Sequence, residues 1–262
     1  MIRASGLRVG FGPRTVLHDV DVDVPRGQWL ALVGRNGCGK TTLLRVMAGL
    51  LRPDRGTVTV DGSPLAGLSR RDIARRIAVL PQSMPDSGLT VRELVRQGRY
   101  AARGPLGMLA GGDDPAVTAA LADTGTAAYA DARLDRLSGG ERQRARLALA
   151  LAQGAPVLLL DEPTTYLDIH HQLDILDLVT RLRAERGLTV VTVLHDLAQA
   201  ARYADRVIAL RDGVVHADGP PAATVTPALL REVFTVEGRV WRDDRGRITC
   251  AYDGLAGNQL GV

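Results

Sequence analysis

The chain has 262 residues, with few aromatic residues, two cysteines and a single lysine. Phe, Trp and Tyr together make up 3% of the residues. They form no cluster that could stack on nucleobases, which argues against DNA or RNA binding as the main function. Cys38 and Cys250 form neither a disulfide framework nor a CxxC motif, so the chain fits a reducing compartment.

Long apolar stretches and repeats are also missing. The longest nearly apolar run, 147–160, is too short to span a bilayer and contains Gln153, Gly154 and Pro156. The first residues lack the apolar core of a signal peptide, and no coiled-coil heptad run is present. If the protein works at a membrane, we therefore expect another chain to span the bilayer.

The net charge of +4 comes from 33 Lys and Arg residues set against 29 Asp and Glu residues. An excess of positive charge is compatible with an acidic partner such as a nucleotide, a nucleic acid or a membrane surface. The arginines are interspersed with acidic residues and form no long basic run, which favours an ordinary solvated surface. We interpret the scarcity of lysine as a compositional bias.

Short apolar runs alternate with helical patterns along much of the chain. Strands are predicted at 28–34, 57–60, 77–80, 157–160, 189–194 and 207–210, and helices at 40–50, 169–185 and 196–204. This alternation favours an α/β fold with a mostly parallel sheet that is covered by helices on both faces. Residues 90–153 show helical patterns broken by Gly- and Pro-rich turns at 103–107 and 111–115, which predicts a helical insertion.

One strand-to-helix junction carries a phosphate-binding pattern. Gly34, Gly39, Lys40 and Thr41 match G-x-x-x-x-G-K-[ST]. Glycines let the backbone N–H groups approach phosphate oxygens, while the lysine places a compact charge between the terminal phosphates. Arginine would not fit the same geometry, which explains why the lysine is kept here. The alternative is a glycine-rich turn with an exposed lysine. The predicted nucleotide-binding residues are Gly34, Arg35, Asn36, Gly37, Cys38, Gly39, Lys40, Thr41 and Thr42.

Phosphoryl transfer also needs a carboxylate for the metal and a group that acts on water. Asp161 and Glu162 follow the apolar run 157–160, at the carboxyl end of a predicted buried strand, where ligands bind in parallel sheets. We expect Asp161 to reach Mg²⁺ and Glu162 to polarise the attacking water. The alternative is a pair of surface carboxylates that begin a loop.

The segment 137-LSGGERQRARLALALA-152 resembles the LSGGQ signature and following helix of the nucleotide-binding subunits of ABC transporters, with Glu141 in place of Gln. Ser138, Gly139 and Gly140 would form a second anion site at a helix N-terminus. The alternative is an ordinary helix capped by Ser138. The resemblance implies a head-to-tail dimer of two copies that encloses two ATP molecules.

The same resemblance, from about Leu7 to Cys250, assigns roles to further residues. Phe11 would stack on adenine, and Gln82 would contact Mg²⁺ together with Thr41 and Asp161. Asp168 would lie at the dimer interface, and His195 would contact the γ-phosphate, with Glu162 and His195 as the catalytic pair. For His195 the alternative is a histidine that merely begins a helix. The implied cofactors are ATP and Mg²⁺.

The resemblance also implies the full fold class and its division. We expect an α/β P-loop NTPase core with a mostly parallel sheet, an N-terminal antiparallel β portion and an inserted helical subdomain. Residues 1–84 would form the first part of the ATP-binding core and residues 85–152 the helical subdomain. Residues 153–252 would form the second part of the core, and residues 253–262 a flexible tail.

Two segments indicate which group of ABC transporters the chain resembles most. Segments 92-RELVRQGRY-100 and 163-PTTYLDIHHQLDILDLV-179 are similar to those of importer ATPases for iron–siderophore complexes, haem and cobalamin. The implied partners are transmembrane permease subunits, a second copy of the chain and, indirectly, a substrate-binding protein. The chain would then act at the cytoplasmic face of the membrane.

Other functions remain as alternatives. A drug or lipid exporter subunit would need a different membrane partner. A DNA-repair ABC protein would need long coiled coils, and a ribosome-binding one usually carries two cassettes in one chain. A plain P-loop kinase would lack the signature segment.

Two smaller expectations concern side chains near these motifs. Cys38 lies beside Lys40 at a helix N-terminus, which favours a thiolate; the alternative is a small buried residue that serine could replace. His170 and His171 are expected to be a solvated helix start and no metal site, because consecutive helical residues do not share a face.

Overall fold

The computed structural model describes residues 1–84, 88–109 and 114–257. The strands are β1 Ile2–Phe11, β2 Arg14–Val24, β3 Trp29–Val33, β4 Arg55–Val60, β5 Ser63–Pro64, β6 Ile77–Leu80, β7 Val157–Asp161, β8 Thr189–Val193, β9 Arg206–Arg211, β10 Val214–Gly219, β11 Val236–Arg242 and β12 Ile248–Leu255. The helices are α1 Lys40–Met47, α2 Arg70–Ala74, α3 Val91–Gln97, α4 Tyr100–Leu109, α5 Pro115–Asp123, α6 Gly139–Ala152, α7 Ile169–Arg186, α8 Leu197–Tyr203, α9 Pro221–Thr224 and α10 Pro227–Leu229.

The chain divides into two compact units. The first unit contains Met1–Gly62 and Val191–Val262, and the second contains Ser63–Val190. Among the described residues, no helix is long and apolar enough to cross a membrane.

An antiparallel sheet in the first unit runs in the order β2-β1-β4. One face of this sheet is buried, and the sequence of β2 shows why. In 20-VDVDV-24 the valines are buried and the aspartates are exposed, as expected for a strand with one face on the core and one in solvent.

The first unit also contains strands that are buried on both faces. All five residues of β3 are buried, and β3 pairs in parallel with β9, which pairs antiparallel with β10. The end of β8 lies beside β3, where the Leu194 N–H donates to the Leu32 carbonyl oxygen at 3.1 Å. The buried Trp29 indole donates to Thr192 Oγ1 at 3.0 Å, so its polar atom is satisfied.

The second unit contains the parallel pair β6 and β7 together with most of the longer helices. Leu80 lies opposite Leu160 in the register of this pair. Helix α6 packs on α3, α5 and α7, and the Arg144 guanidinium binds the Asp174 carboxylate to join α6 to α7. Helices α3, α5 and α6 lie in the segment for which the sequence predicts a helical insertion, whereas α7 matches the helix predicted at 169–185.

The predicted fold class is confirmed: the chain has the mostly parallel strands, the antiparallel N-terminal sheet and the helices expected from the sequence. The prediction of turns at 103–107 needs a correction, because helix continues on both sides of Gly104, whose φ of 68° interrupts it. Residues 111–113 lie outside the described residues.

The division into ATP-binding core, helical subdomain and tail stays a prediction. Strand β12 continues to Leu255, two residues beyond Asp253, where the tail is predicted to begin. Residues 258–262 of that tail lie outside the described residues.

Candidate functional site

The predicted phosphate loop leaves the carboxyl end of β3 and enters α1 through two glycines that no other residue could replace. Gly34 has a φ of 143°, and a Cβ there would lie 2.3 Å from the Leu210 carbonyl oxygen. Gly39 has a φ of 107°, and a Cβ there would lie 2.7 Å from a methyl group of Leu17. Both the backbone conformation and the close neighbours therefore require glycine.

Lys40 points back into this loop. Its Nζ donates to the carbonyl oxygens of Gly34 at 2.7 Å and Arg35 at 3.0 Å, and the residue is 5% exposed. The alternative of an exposed lysine is therefore wrong. Two carbonyl groups satisfy a compact ammonium at this depth, whereas a planar guanidinium with five donors would need a larger space.

Cys38 does not behave as the sequence predicts. Burial raises the pKa of its thiol, although the Lys40 ammonium acts in the opposite direction. The residue is buried, with its Sγ 3.9 Å from Lys40 Nζ. The expected thiolate-favouring environment is wrong because desolvation outweighs the neighbouring charge. The alternative, a small buried residue, fits the structure.

His195 follows the end of β8, at the same sheet edge as the phosphate loop, because Leu194 bonds to Leu32 of β3. The histidine is exposed, and Asp196 begins α8 by accepting from the Ala198 and Gln199 N–H groups. Phe11 ends β1 beside the hairpin turn, and its side chain is exposed. Both residues belong to the first unit together with the loop.

In the second unit, Gln82 and Glu162 meet at the carboxyl ends of two neighbouring parallel strands. Each follows a register pair of β6 and β7 by two residues, and the Gln82 Nε2 donates to Glu162 Oε2 at 2.5 Å. Thr165 Oγ1 donates to the same oxygen at 3.1 Å. Two donors thus fix the orientation of the Glu162 carboxylate.

Sequence reasoning missed this bond and the part played by Thr165. The pairing of β6 with β7 could have revealed the bond, because Gln82 and Glu162 each follow the paired residues Leu80 and Leu160 by two positions. Glu162 also has a φ of 51°, in the left-handed region that disfavours side chains. Such strained positions are common at functional sites. Asp161, one residue earlier, is buried at the end of β7.

The signature segment begins α6 with a reciprocal cap. The Ser138 Oγ accepts from the Glu141 N–H at 3.3 Å, and Glu141 Oε2 accepts from the Ser138 N–H at 2.9 Å. These bonds form a capping box, in which glutamate serves as well as glutamine. Backbone hydrogen bonding from Ser138 also lowers the pKa of Glu141, so this carboxylate is ionised at neutral pH.

Asp168 caps the start of α7 and binds His171 of the first turn of that helix. The His171 N–H donates to Asp168 Oδ1 at 2.9 Å, and the ring Nδ1 lies 2.9 and 2.8 Å from the two carboxylate oxygens. His170 is exposed as predicted, but His171 is half-buried. The expectation of a solvated pair is therefore wrong for His171, because its ring packs on the signature helix.

The donors available for a metal are oxygen atoms. In the second unit, Asp161 offers a carboxylate, and Gln82 offers an amide oxygen because its nitrogen is bound to Glu162. In the first unit, Thr41 offers a hydroxyl. Among the described residues, no group of three or more His, Cys, Asp or Glu side chains could hold a metal. Oxygen donors of these kinds suit Mg²⁺, which takes one or two carboxylates and completes its shell with water and substrate phosphates.

The predicted site residues fall into two groups. The first unit carries Phe11, the loop 34–42 and His195. The second unit carries Gln82, the signature residues, Asp161, Glu162 and Asp168.

Comparisons with known proteins show the family of the chain. A family model described as ABC transporter matches residues 17–165. The iron(3+)-hydroxamate import ATP-binding protein FhuC of Bacillus subtilis is 44% identical over 91% of this chain and 89% of its own length. The hemin import ATP-binding protein HmuV of Streptomyces coelicolor is 50% identical over 88% of this chain and 82% of its own.

A solved structure shares the fold. It is an ATP-binding cassette described as a dimer in a post-hydrolysis state, bound to ADP and Pi. Its sequence is 26% identical to this chain, and the two structures align with a TM-score of 0.71. The alignment covers 84% of this chain and 99% of the solved chain.

The strand-end phosphate loop, the capped signature helix and these matches define a nucleotide-binding cassette, and the chain belongs to the ABC transporter family. The predicted membership in this family is confirmed. The predicted similarity of the chain to the ATP-binding subunits of siderophore, haem and cobalamin importers is confirmed as well.

Proposed function

We propose that this chain is the ATP-hydrolysing subunit of a membrane importer for iron–siderophore complexes. The observation that carries the ATPase activity is the Glu162 carboxylate, held by Gln82 and Thr165 at the carboxyl end of a buried strand. The cargo assignment is supported by the 44% identity to the hydroxamate import protein over most of both chains.

The loop residues 34–42 would bind the phosphates of ATP, with Phe11 against the adenine ring. Backbone N–H groups at the start of α1 supply positive partial charge, and the buried Lys40 ammonium supplies a full one. Lys40 would exchange its bonds to the carbonyl groups of the loop for bonds to phosphate oxygens.

Thr41, Gln82 and Asp161 would hold Mg²⁺ together with the phosphates. When bound, the metal ion neutralises the charge that develops on the transferred phosphoryl group. The attacking water would donate a hydrogen bond to Glu162, whose carboxylate is kept in one orientation by its two donors. His195 would bind the γ-phosphate.

Two copies would act together, as head-to-tail partners. Ser138, Gly139 and Gly140 lie at a helix N-terminus that favours anions, and they would complete the phosphate site of the other copy. Asp168 would lie at the interface between the copies. Closing and opening of the pair would drive transmembrane permease subunits, to which a substrate-binding protein delivers the cargo. The chain would thus work at the cytoplasmic face of the membrane.

Haem is the second candidate cargo, because the hemin import protein is 50% identical to this chain. The two candidates differ in the permease that the subunit serves. Cobalamin and export are further alternatives.

The ATPase assignment is tested by Glu162→Gln in the chain assembled with its permease. We expect the variant to bind ATP, to form a more stable dimer and to lose at least about a hundredfold in phosphate release, as is typical when a group that acts on the attacking water is lost. Phosphate release by the wild type should require Mg²⁺ and stop on chelation.

Glu185→Gln is the matched control, because Glu185 is an exposed carboxylate of α7 that pairs with Arg181. It should hydrolyse ATP at the wild-type rate. Near-normal turnover by Glu162→Gln would overturn the role of Glu162.

A further inference from the structure

His171 connects two segments that the proposed function places at the interface between copies. It lies in the first turn of α7, three residues after Asp168, and 31 positions after Gly140 in the sequence. The contacts of its ring with both segments lie within the second unit.

The first contact is with Asp168. Backbone and side-chain hydrogen bonds from His171 lower the pKa of this carboxyl group, so it is ionised and can only accept. The ring nitrogen Nδ1, which lies 2.8 Å from Asp168 Oδ2, must therefore carry a hydrogen. The result is a charge-assisted hydrogen bond that fixes both the ring and the carboxylate.

The second contact is with Gly140. A Cβ on this residue would lie 1.9 Å from His171 Cδ2 and 2.6 Å from Nε2, so the ring fills the space that any side chain would need. Gly140 is buried beneath it. The glycine of the signature segment is therefore required by the histidine as well as by its proposed phosphate contact.

One neighbouring bond joins the same two segments, and another lies within the segment around Asp168. Gln143 Nε2 of α6 donates to the Pro163 carbonyl oxygen at 2.8 Å. Gln172 Nε2 of α7 donates to the Leu167 carbonyl oxygen at 2.9 Å. These bonds hold the backbone between β7 and α7, but the side chain of Asp168 is held by His171.

We propose that His171 is a positioning residue that fixes Asp168 relative to the N-terminus of the signature helix, so that both reach the other copy in one geometry. This inference rests on the proposed function. His171 itself would not touch ATP. Its loss should therefore weaken the ATP-dependent dimer and lower kcat, while the nucleotide affinity of the single copy stays unchanged.

The experiment measures the dimer dissociation constant with ATP in the Glu162→Gln background, by analytical ultracentrifugation. Adding His171→Ala should weaken the dimer about tenfold or more, which corresponds to the loss of one charge-assisted hydrogen bond. His170→Ala is the matched control, because His170 is the exposed neighbour, and it should leave the dimer unchanged.

His171→Asn separates positioning from packing. An asparagine amide can donate from the position of Nδ1 but leaves the space over Gly140 empty. It should restore most of the dimer affinity that His171→Ala loses, and the two variants should bind a fluorescent ATP analogue with equal affinity. If His171→Ala fails to fold, the comparison of His171→Asn with His170→Ala decides the question: a dimer at least about tenfold weaker for His171→Asn would contradict the proposal.

Three outcomes overturn the inference. The first is a dimer affinity of His171→Ala that matches His170→Ala within about twofold. The second is a loss of nucleotide affinity in His171→Ala as large as its loss of dimer affinity. The third is a dimer affinity of His171→Asn no higher than that of His171→Ala. The parent Glu162→Gln protein reports separately on the proposed function: if it forms no dimer with ATP, that function fails, whatever His171 does.

Discussion

At the scale of single residues, the surroundings of Lys40 explain why this position holds a lysine. Its buried ammonium is satisfied by two carbonyl oxygens of the loop, in a chain that otherwise uses arginine for its cations. A guanidinium would leave several donors unpaired in the same space, and unpaired buried donors are costly.

Lys40→Arg should weaken binding of a fluorescent ATP analogue at least about tenfold, because the planar side chain cannot occupy the same position. Arg45→Lys is the control, since Arg45 is exposed on the same helix and should tolerate the change. Equal affinity of Lys40→Arg and the wild type would contradict the placement of the ammonium in the site.

Cys38 gives a prediction that depends on pH. Burial raises the pKa of its thiol, so the reactive thiolate is scarce at neutral pH and increases as the pH rises toward the pKa. Iodoacetamide should therefore modify Cys38 at least about tenfold more slowly than an unfolded peptide at pH 7, with the rate rising toward pH 9. Mass spectrometry of the tryptic peptide measures this. Rapid modification at pH 7 would contradict the burial of the thiol.

At the scale of elements, the strands of the parallel sheet could be predicted closely. The apolar runs at 77–80 and 157–160 match β6 and β7 within one residue, because strands buried on both faces are almost continuously apolar. The hairpin β11–β12 carries no such run, since most of its residues are partly or fully exposed, and the sequence did not predict it.

The site could be predicted only where a motif is local. The loop and the strand-end carboxylates are contiguous patterns, but the Gln82–Glu162 bond joins residues 80 positions apart. The packing of His171 on Gly140 likewise depends on how α7 lies against α6, which no local pattern reveals.

Asp114 is the main buried charge of the inserted helices. It caps α5 and accepts from Arg99 Nε and Arg103 Nε, both at 2.9 Å. Burial alone would raise its pKa, but hydrogen bonds from Arg99 and the Ala116 N–H outweigh it, so the pKa is lowered. Its contribution to stability is therefore present above pH of about 4 and is lost only as the pH falls further, through the lowered pKa.

Asp114→Asn should destabilise the helical insertion by about 2 kcal/mol, because it leaves two partly buried guanidinium groups without their charge partner while an asparagine still caps the helix. Urea unfolding combined with hydrogen exchange of α5 measures the loss. Asp131→Asn is matched in geometry, with the same 2.9 Å bond to Arg92, but its side chain is 81% exposed. It should cost far less stability than Asp114→Asn, because solvent screens an exposed ion pair, and equal losses would contradict the role of burial.

At the scale of the whole molecule, the chain combines a loop predicted to bind nucleotide with a capped helix N-terminus predicted to bind an anion, and among its described residues no helix could cross a membrane. The family membership accounts for this combination, because relatives of similar length are named as the ATP-binding proteins of importers. We therefore expect the activity of the chain to appear in full only together with a permease and a second copy.

The central claim is tested most directly by uptake of a labelled ferric siderophore in cells that lack this chain. Wild type should restore uptake, Glu162→Gln should not, and Glu185→Gln should match the wild type. Excess unlabelled haem should not compete. Uptake that persists without the chain, or that Glu162→Gln restores fully, would contradict the account.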